Sequence, residues 1–178
     1  MKLNKKIASY AAAAALALSP ATVLAASTDG ASQLDANKAL AKAAQDLWAS
    51  DGYTQAKEIL ATDYVNHQDS NMATGVQSMD RGEYIQMLNQ FRTAFSPIDV
   101  TIHSQVAEGD LVSTVWESTV TLRSEFMGVA PTGKQYTYSG ISIDRVKDGQ
   151  IVESWVNWDK FDLFQELGLV TQPEAPAT

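Results

Sequence analysis

The second half of this chain alternates between strand-forming segments and tight-turn residues, and this pattern limits the folds open to it. Four segments between residues 99 and 159 are rich in Val, Ile, Thr, Tyr and Trp, with near-alternation of apolar and polar side chains. They are "DVTIHSQVAEG", "DLVSTVWESTVTLRSEF", "KQYTYSGISIDRVK" and "QIVESWVNWD". The pair Asp148-Gly149 and the sequence "EGD" indicate hairpin turns. Consecutive strands joined by short turns predict an antiparallel meander.

The first half of the chain has helical periodicity instead. "QLDANKALAKAAQDLWA" and "YTQAKEIL" predict two helices, and a third begins at Asp80 and Glu83, which have capping-box spacing. Its apolar stripe comprises Tyr84, Met87, Leu88, Phe91 and Phe95. Residues 61–79 show no period and many turn formers, which predicts a long loop. Helices followed by a meander predict an α+β fold, with helices packed on one face of a curved antiparallel sheet.

The two ends of the chain differ from its middle. Residues 1–25 have a lysine-rich start, the apolar run "AAAAALAL" and small residues before Ala25, which is typical of a cleavable secretory signal. We expect cleavage after Ala25, one domain over 26–170 and a disordered tail over 171–178. The chain has no cysteine, which excludes a lipid anchor on cysteine and any disulfide. The expected location is the periplasm of a Gram-negative bacterium, or the medium.

Charge and composition exclude several classes of partner. The chain has 13 basic and 21 acidic residues, and the signal contains three of the basic ones, so the mature charge is 10 − 21 = −11. Such a chain repels nucleic acid and anionic lipid, and we expect neither partner. Two histidines without metal-ligand spacing and no glycine-rich phosphate loop predict no metal and no cofactor. A small apolar ligand is the expected partner.

The last predicted strand has polar and aromatic residues on both faces. One face has Ile151, Glu153, Trp155, Asn157 and Asp159, and the other has Val152, Ser154, Val156 and Trp158. This pattern fits a sheet with one face around a lined pocket. Asp159 follows the strand and precedes the apolar run "KFDLFQELG". It either caps a helix or is a desolvated acid whose pKa is raised for proton transfer.

The sequence resembles the SnoaL-like polyketide cyclases in a series of motifs that occur in the same order, over about residues 36–169. The matching pieces are "YVNH", "AFSPIDV", "AEGDLVSTVW", "EFMGVAPTGKQY" and "DGQIVESWVNWDKFDLFQELG". The resemblance implies the cone-shaped α+β fold of nuclear transport factor 2 and ketosteroid isomerase. It also implies cofactor-free catalysis in a pocket between the sheet and the helices.

The resemblance also implies roles for particular residues. In ring-closing members an acid on the last strand moves protons during an intramolecular aldol condensation, and Asp159 takes that place here. His67 of "YVNH" would be a polar contact at the pocket mouth and is the second catalytic candidate. Tyr64 and Asn66 of the same motif are candidate substrate-binding residues, and the Asn66 amide could donate to a substrate oxygen. Many relatives have Gly-Thr-His where this chain has Val120-Thr121-Leu122, so that imidazole is absent.

Each candidate also has a structural interpretation. A single histidine such as His67 is more often a hydrogen-bonded structural residue than a catalyst, and an asparagine in a loop, such as Asn66, is usually a turn residue. The expected apolar lining is Met87, Phe91, Trp116, Tyr138 and Trp155, any of which is also suited to an ordinary core. If Glu153 points inward it needs a partner, and Arg145 is the natural one.

Three functions fit these observations. The first is an exported, cofactor-independent lyase or isomerase acting on an apolar carbonyl substrate, with Asp159 as acid and base. The second is a binding module that holds a hydrophobic ligand without converting it. The third is a structural role, in which the outer face of the sheet forms a homodimer.

Overall fold

The computed structural model describes residues 20–50, 53–68 and 77–170, with side chains from residue 30 onward except those of Tyr53 and Gln77. Most of the predicted signal and all of the predicted tail lie outside these ranges. The helices are α1 (Pro20–Asp46), α2 (Tyr53–Ile59), α3 (Arg81–Ala94) and α4 (Lys160–Glu166). The strands are β1 (Leu60–Gln68), β2 (Gln77–Asp80), β3 (Phe95–Glu108), β4 (Leu111–Leu122), β5 (Gln135–Lys147) and β6 (Gln150–Trp158). No helix in the described part of the chain is long and apolar enough to cross a membrane.

The six strands form one curved, unclosed sheet in the order β2-β1-β6-β5-β4-β3. All neighbouring pairs are antiparallel except β1 and β6, which are parallel. The predicted meander of four strands is confirmed as β3 to β6, and the helices lie on one face of the sheet. Asp148 and Gly149, with φ of 51° and 76°, make the turn between β5 and β6, as expected for a tight hairpin. The predicted α+β fold class is confirmed.

The loop predicted over residues 61–79 is wrong where the structure describes it. Strands β1 and β2 occupy most of that stretch, and residues 69–76 lie outside the described chain. In β1 the buried side chains include Tyr64, Asn66 and Gln68, two of which are amides. Polar residues on the inward face hide the apolar alternation by which a strand is recognised in a sequence.

Helix α3 begins with the predicted capping box. The carboxylate of Asp80 accepts from the backbone N–H of Glu83, and the carboxylate of Glu83 accepts from the N–H of Asp80, both at 2.9 Å. The helix ends at Ala94, so Phe95 starts β3 instead of extending the helical stripe. Buried Tyr84, Ile85 and Leu88 face the interior. The cap thus sets where α3 covers the sheet.

The interior consists of two clusters of buried apolar side chains. One joins α1, α2 and α3 to β1 and includes Leu47, Leu60 and Tyr84. The other joins β3, β4 and β5 to α4 and includes Phe95 and Leu163. Trp48 packs against both clusters, with its ring edge-on to Tyr84 and to Phe91. Residues of both clusters border a cavity between the helices and the sheet.

Gly140 gives a direct test of this packing. It faces Trp116 across the β4–β5 pair, and a Cβ atom there would overlap the Trp116 ring and lie 2.8 Å from the carbonyl oxygen of Asn157. We expect Gly140→Ala to lower the free energy of unfolding by about 1–3 kcal/mol, measured by urea denaturation. Gly30→Ala is the control, because nothing lies within 4 Å of its added Cβ. Equal stability of the two variants would contradict this packing.

Candidate active site

The central cavity lies between the inner face of the sheet and helices α1, α3 and α4. Its volume is about 530 Å³, which suits a small organic molecule. Much of its wall is aromatic, from Trp48, Phe91, Trp116, Phe126, Tyr138 and Trp158. Neighbouring rings meet edge-on or tilted, as with Tyr138 against Trp116 and Trp158. The cavity therefore favours planar, apolar parts of a ligand.

Most of the residues predicted to bind substrate border this cavity. They are Tyr64, Asn66, Met87, Phe91, Trp116 and Tyr138. The structure brings them together from β1, α3, β4 and β5, four elements that are distant in sequence. Their roles toward a ligand stay predictions.

His67 and Trp155 lie on the opposite, outer face of the sheet. Parallel pairing of β1 with β6 places them side by side, and their rings stack with centroids 5.4 Å apart. His67 Nε2 lies 2.8 Å from Glu153 Oε1. The expectations that Trp155 lines the pocket and that His67 is at its mouth are therefore wrong. Alternation on β6 directs Ser154, not Trp155, toward the cavity.

The predicted partner of Glu153 is present on that outer face. Arg145 donates from Nε to Glu153 Oε2 at 3.2 Å and from Nη1 to Asp110 Oδ2 at 3.0 Å. These two bonds raise the pKa of Arg145. Its guanidinium also lies over the Trp155 ring, 5.5 Å from the centroid. These contacts form an outer-face network that is separate from the cavity.

Asp159 is the N-cap of helix α4. Its Oδ1 accepts from the backbone N–H of Asp162 at 3.0 Å, and its side chain is exposed, outside the lining of the central cavity. This geometry agrees with the interpretation of Asp159 as a helix cap. The expectation of a desolvated carboxylate at this position is wrong, because the alternation that directs Ser154 and Trp158 toward the cavity leaves Asp159 exposed outside it.

The desolvated carboxylate of the cavity belongs to Asp144 on β5. Its side chain is 3% exposed, and burial raises its pKa from 3.8 to about 6. Ser154 donates from Oγ to Asp144 Oδ1 at 2.6 Å, while Oδ2 has no hydrogen-bond partner among the described residues. One carboxylate oxygen is thus hydrogen-bonded, and the other is buried without a partner in the described part of the chain.

Sequence reasoning missed Asp144, although a signal for it existed. Tyr138 and Gly140 share a sheet face by the two-residue period, and two further steps along β5 reach Ser142 and Asp144. An acid four residues before a hairpin turn otherwise resembles an ordinary solvent-facing charge. Its burial depends on Ser154, which pairs with it across the β5–β6 ladder.

A chain of hydrogen bonds runs from β1 to Asp144. Asn66 Nδ2 donates to the Tyr64 hydroxyl at 2.9 Å, and the Tyr64 hydroxyl is bonded in turn to Ser154. Burial raises the pKa of Tyr64, so this phenol stays neutral and keeps its proton. The chain therefore orients Ser154 toward Asp144.

Other polar groups of the wall are structural. Gln45 and the Trp116 indole N–H both donate to the Ser142 hydroxyl, at 2.7 and 2.9 Å. The hydroxyl of Tyr138 is bonded to Ser118, and burial raises its pKa to about 12. In the ranges that the structure describes, no group of three or more His, Asp or Glu side chains has metal-binding geometry.

A family model, the SnoaL-like polyketide cyclase, matches residues 38–167. The chain belongs to the SnoaL-like polyketide cyclase family. The match covers the described domain from the middle of α1 to the end of α4, so the resemblance drawn from the motifs is confirmed. Membership suggests a cyclase or isomerase that binds a small molecule. No curated protein sequence matches this SnoaL-like chain.

Solved structures share the fold of this SnoaL-like protein. AclR from Streptomyces galilaeus, whose name gives it as a suspected hydroxylase, has 24% identity and a TM-score of 0.68, over 78% of this chain and 99% of AclR. IdmH from Streptomyces antibioticus, named as a suspected polyketide cyclase, has 26% identity and a TM-score of 0.67, over 74% and 98%. A protein from Catenulispora acidiphila that is described as having a ketosteroid isomerase-like fold has 14% identity and a TM-score of 0.59, over 75% of this chain and 97% of that protein.

The burial of Asp144 predicts a pH-dependent stability. Because its native pKa of about 6 exceeds the 3.8 of a free carboxyl, the folded protein holds a proton there that the unfolded chain releases. The resulting stabilisation is full below pH 4 and is lost as pH rises through 6. Asp144→Asn should therefore gain up to about 3 kcal/mol relative to the parent between pH 4 and pH 8. Urea denaturation at several pH values measures this, and a constant difference between the two proteins would contradict the burial.

Proposed function

We propose that this SnoaL-like protein is a cofactor-independent lyase or isomerase in which Asp144 moves a proton at the carbon beside a carbonyl group. One observation supports this above the others: Asp144, which lines an aromatic cavity, has a buried carboxyl with a pKa of about 6 and one oxygen without a hydrogen-bond partner among the described residues. A general base works best when its pKa lies near the operating pH. The acid-base role first assigned to Asp159 thus moves to Asp144.

The proposed step needs no external co-reactant. Asp144 Oδ2 takes a proton from the carbon next to the carbonyl, and the electrons of the broken C–H bond form an enolate. In an isomerase the new carboxylic acid returns the proton to another carbon of the same molecule. In a ring-closing lyase the enolate carbon bonds to a second carbonyl carbon, and that carbonyl oxygen takes the proton. Atoms and charge balance in both cases.

Ser154 would hold the carboxylate in place for this step. Its hydroxyl donates to Oδ1 and, being held by Tyr64, leaves Oδ2 for the substrate. The hydroxyl of Tyr138 could in principle stabilise an enolate oxygen, but Tyr138 lies six residues from Asp144 along β5, roughly 20 Å by the rise of a strand. We therefore assign Tyr138 to the aromatic wall instead.

The reaction proposed here needs no imidazole. Val120, Thr121 and Leu122, at the Gly-Thr-His position of many relatives, are buried in β4, and His67 is on the outer face. AclR and IdmH are named for different reactions on a common fold, so the fold alone does not select the chemistry. The choice of proton transfer follows from Asp144.

A ketone probe tests the step without knowledge of the natural substrate. 2-Tetralone is a bicyclic aromatic ketone whose α-protons exchange in D₂O, and NMR follows that exchange. We expect the protein to accelerate exchange and Asp144→Asn to remove about 100-fold or more of the acceleration, as loss of a general base does. Asp159→Asn is the matched control and should retain full activity, because Asn caps a helix as well as Asp does.

The outcomes separate the competing functions. If 2-tetralone binds but its exchange is not accelerated, the protein is a binding module and the catalytic proposal falls. If Asp159→Asn loses the acceleration and Asp144→Asn keeps it, the assignment of the base to Asp144 falls.

We also propose that the mature protein is exported and forms a homodimer. The signal-like residues 1–25 support export. The outer face of the sheet supports the dimer, since Ile141 and Ile143 there are 49% and 38% exposed and lie near the half-buried Trp155. Such apolar exposure is common at protein interfaces. The dimer would leave the cavity open, because the cavity lies on the other face.

A single preparation tests both proposals. The full chain is expressed in a Gram-negative host and the periplasmic fraction is analysed by mass spectrometry. We expect a denatured mass that begins at Ala26 and a native mass twice as large. A cytoplasmic protein of full length would contradict export, and a native monomer would contradict the dimer.

A further inference from the structure

The rim of the central cavity consists of those lining residues that are exposed to solvent. In the described part of the chain these are Gln90 and Thr93 of α3, and Glu125 and Met127 of the segment between β4 and β5. Three of the four side chains are polar. Met127 is the apolar one, and the residue is 63% exposed. It lies where a ligand passes from water into the aromatic interior.

The backbone places Met127 at the tip of a two-residue turn. Phe126 and Val129 exchange two backbone hydrogen bonds of 3.0 and 2.9 Å, and Met127 and Gly128 between them have φ of 51° and 84°. Two left-handed residues in succession are typical of a type I′ turn, which favours Asn-Gly or Asp-Gly because most other side chains are strained there. The stability of the turn therefore does not explain a methionine at this position.

The base of the turn is fixed to the rest of the domain. The Arg123 N–H donates to the carbonyl oxygen of Ala94, at the end of α3, over 2.8 Å. The Phe126 ring packs edge-on against Phe95, with centroids 4.9 Å apart. Met127 follows Phe126 directly and stays outside this packing, in contact with water. These contacts keep its thioether at the rim.

Exposure also makes Met127 the methionine that an oxidant in solution reaches most readily. Among the methionines whose side chains the structure describes, Met79 and Met87 are half-buried and Met127 is exposed. The thioether group is the same in all three, so access of the oxidant to the sulfur decides the order of reaction. We therefore expect Met127 to form methionine sulfoxide first.

We propose that Met127 is an oxidation site that regulates entry of ligands into the cavity. In the reaction with hydrogen peroxide, the sulfur lone pair bonds to one peroxide oxygen and the O–O bond breaks. The released hydroxide takes the proton of the transferred oxygen and leaves as water. Sulfur loses two electrons and the peroxide gains them. This inference rests on the proposed small-molecule site, but not on proton transfer by Asp144.

Oxidation changes the rim and leaves the interior as it is. The thioether of Met127 is flexible and polarisable, and it makes favourable contacts with aromatic rings, so it can receive an apolar ligand at the entrance. The sulfoxide is polar and accepts hydrogen bonds from water, which an entering apolar group must displace. The rim is then polar on all sides. Sulfoxide reductases restore the thioether, so the change is reversible.

Stopped-flow binding of N-phenyl-1-naphthylamine to the full chain tests the proposal. This probe is neutral and aromatic, and its fluorescence rises in apolar surroundings. Binding is measured before and after a limiting dose of hydrogen peroxide, and peptide mass spectrometry locates the added oxygen. We expect Met127 to be oxidised at least about threefold faster than Met79 and Met87, because it is the most accessible of the three.

The same oxidation should slow binding of the probe. We expect the association rate constant to fall about threefold or more, because the polar sulfoxide holds water at the rim. Reductases for both sulfoxide epimers should restore the original rate.

Met127→Leu and Met127→Gln are the matched variants. Leucine is apolar and has no sulfur, so the association rate of this variant should be the same before and after peroxide. Glutamine is polar and similar in length to methionine, so this variant should bind the probe as slowly as the oxidised parent without any peroxide. Both changes are at an exposed position, where substitutions have small effects on stability.

Several results would overturn the inference. They are equal oxidation of Met79, Met87 and Met127, an unchanged association rate once Met127 is oxidised, and Met127→Gln binding as fast as Met127→Leu. A fall in rate that persists in peroxide-treated Met127→Leu would also do so, since another methionine would then be responsible. So would a parent protein that does not bind the probe.

The failure of this inference and the failure of the catalytic proposal can be told apart. If the parent protein does not accelerate exchange of 2-tetralone, proton transfer by Asp144 is excluded and the role of Met127 stands. If oxidation of Met127 leaves probe binding unchanged while 2-tetralone exchange depends on Asp144, only the role of Met127 is excluded.

Discussion

The parallel pairing of β1 with β6 is the interaction on which the site depends. It joins the first strand to the last, which the rest of the domain separates in sequence, as a parallel pair requires. The pairing sets Asn66 beside Ser154 and His67 beside Trp155. One register thus creates the polar wall of the cavity and the stacked pair behind it. A slip of one residue would exchange the two faces.

Desolvation raises the pKa of Asp144 and also lowers the stability of the fold at neutral pH. The carboxylate accepts one bond, from Ser154, although an ionised carboxyl has the capacity for several. Tyr64 and Asn66 extend that bond into a chain instead of adding bonds to Asp144. The carboxylate therefore stays poorly solvated and its pKa stays raised. More hydrogen bonds would stabilise the fold at neutral pH and weaken the base.

The sequence predicted the parts of the fold that local patterns specify. The α3 capping box, the Asp148-Gly149 turn and the four-strand meander follow from short-range spacing, and the structure has all three. Strand β1 was missed because its inward residues are polar at their ends and its partner is distant in sequence. The prediction of which side chains face the cavity was wrong for the same reason, because the inward face of β6 is set by long-range pairing. Trp155 and Asp159 were therefore placed inside, and Asp144 was overlooked.

Trp48 links the two halves of the interior. It packs against both apolar clusters, meets Tyr84 and Phe91 edge-on, and forms part of the cavity wall. A ligand that displaces this indole changes the packing of both clusters, since neither can relax around the ring alone. A ligand in the cavity would then couple the helical layer to the far strands, and the fluorescence emission of Trp48 would report whether the cavity is occupied.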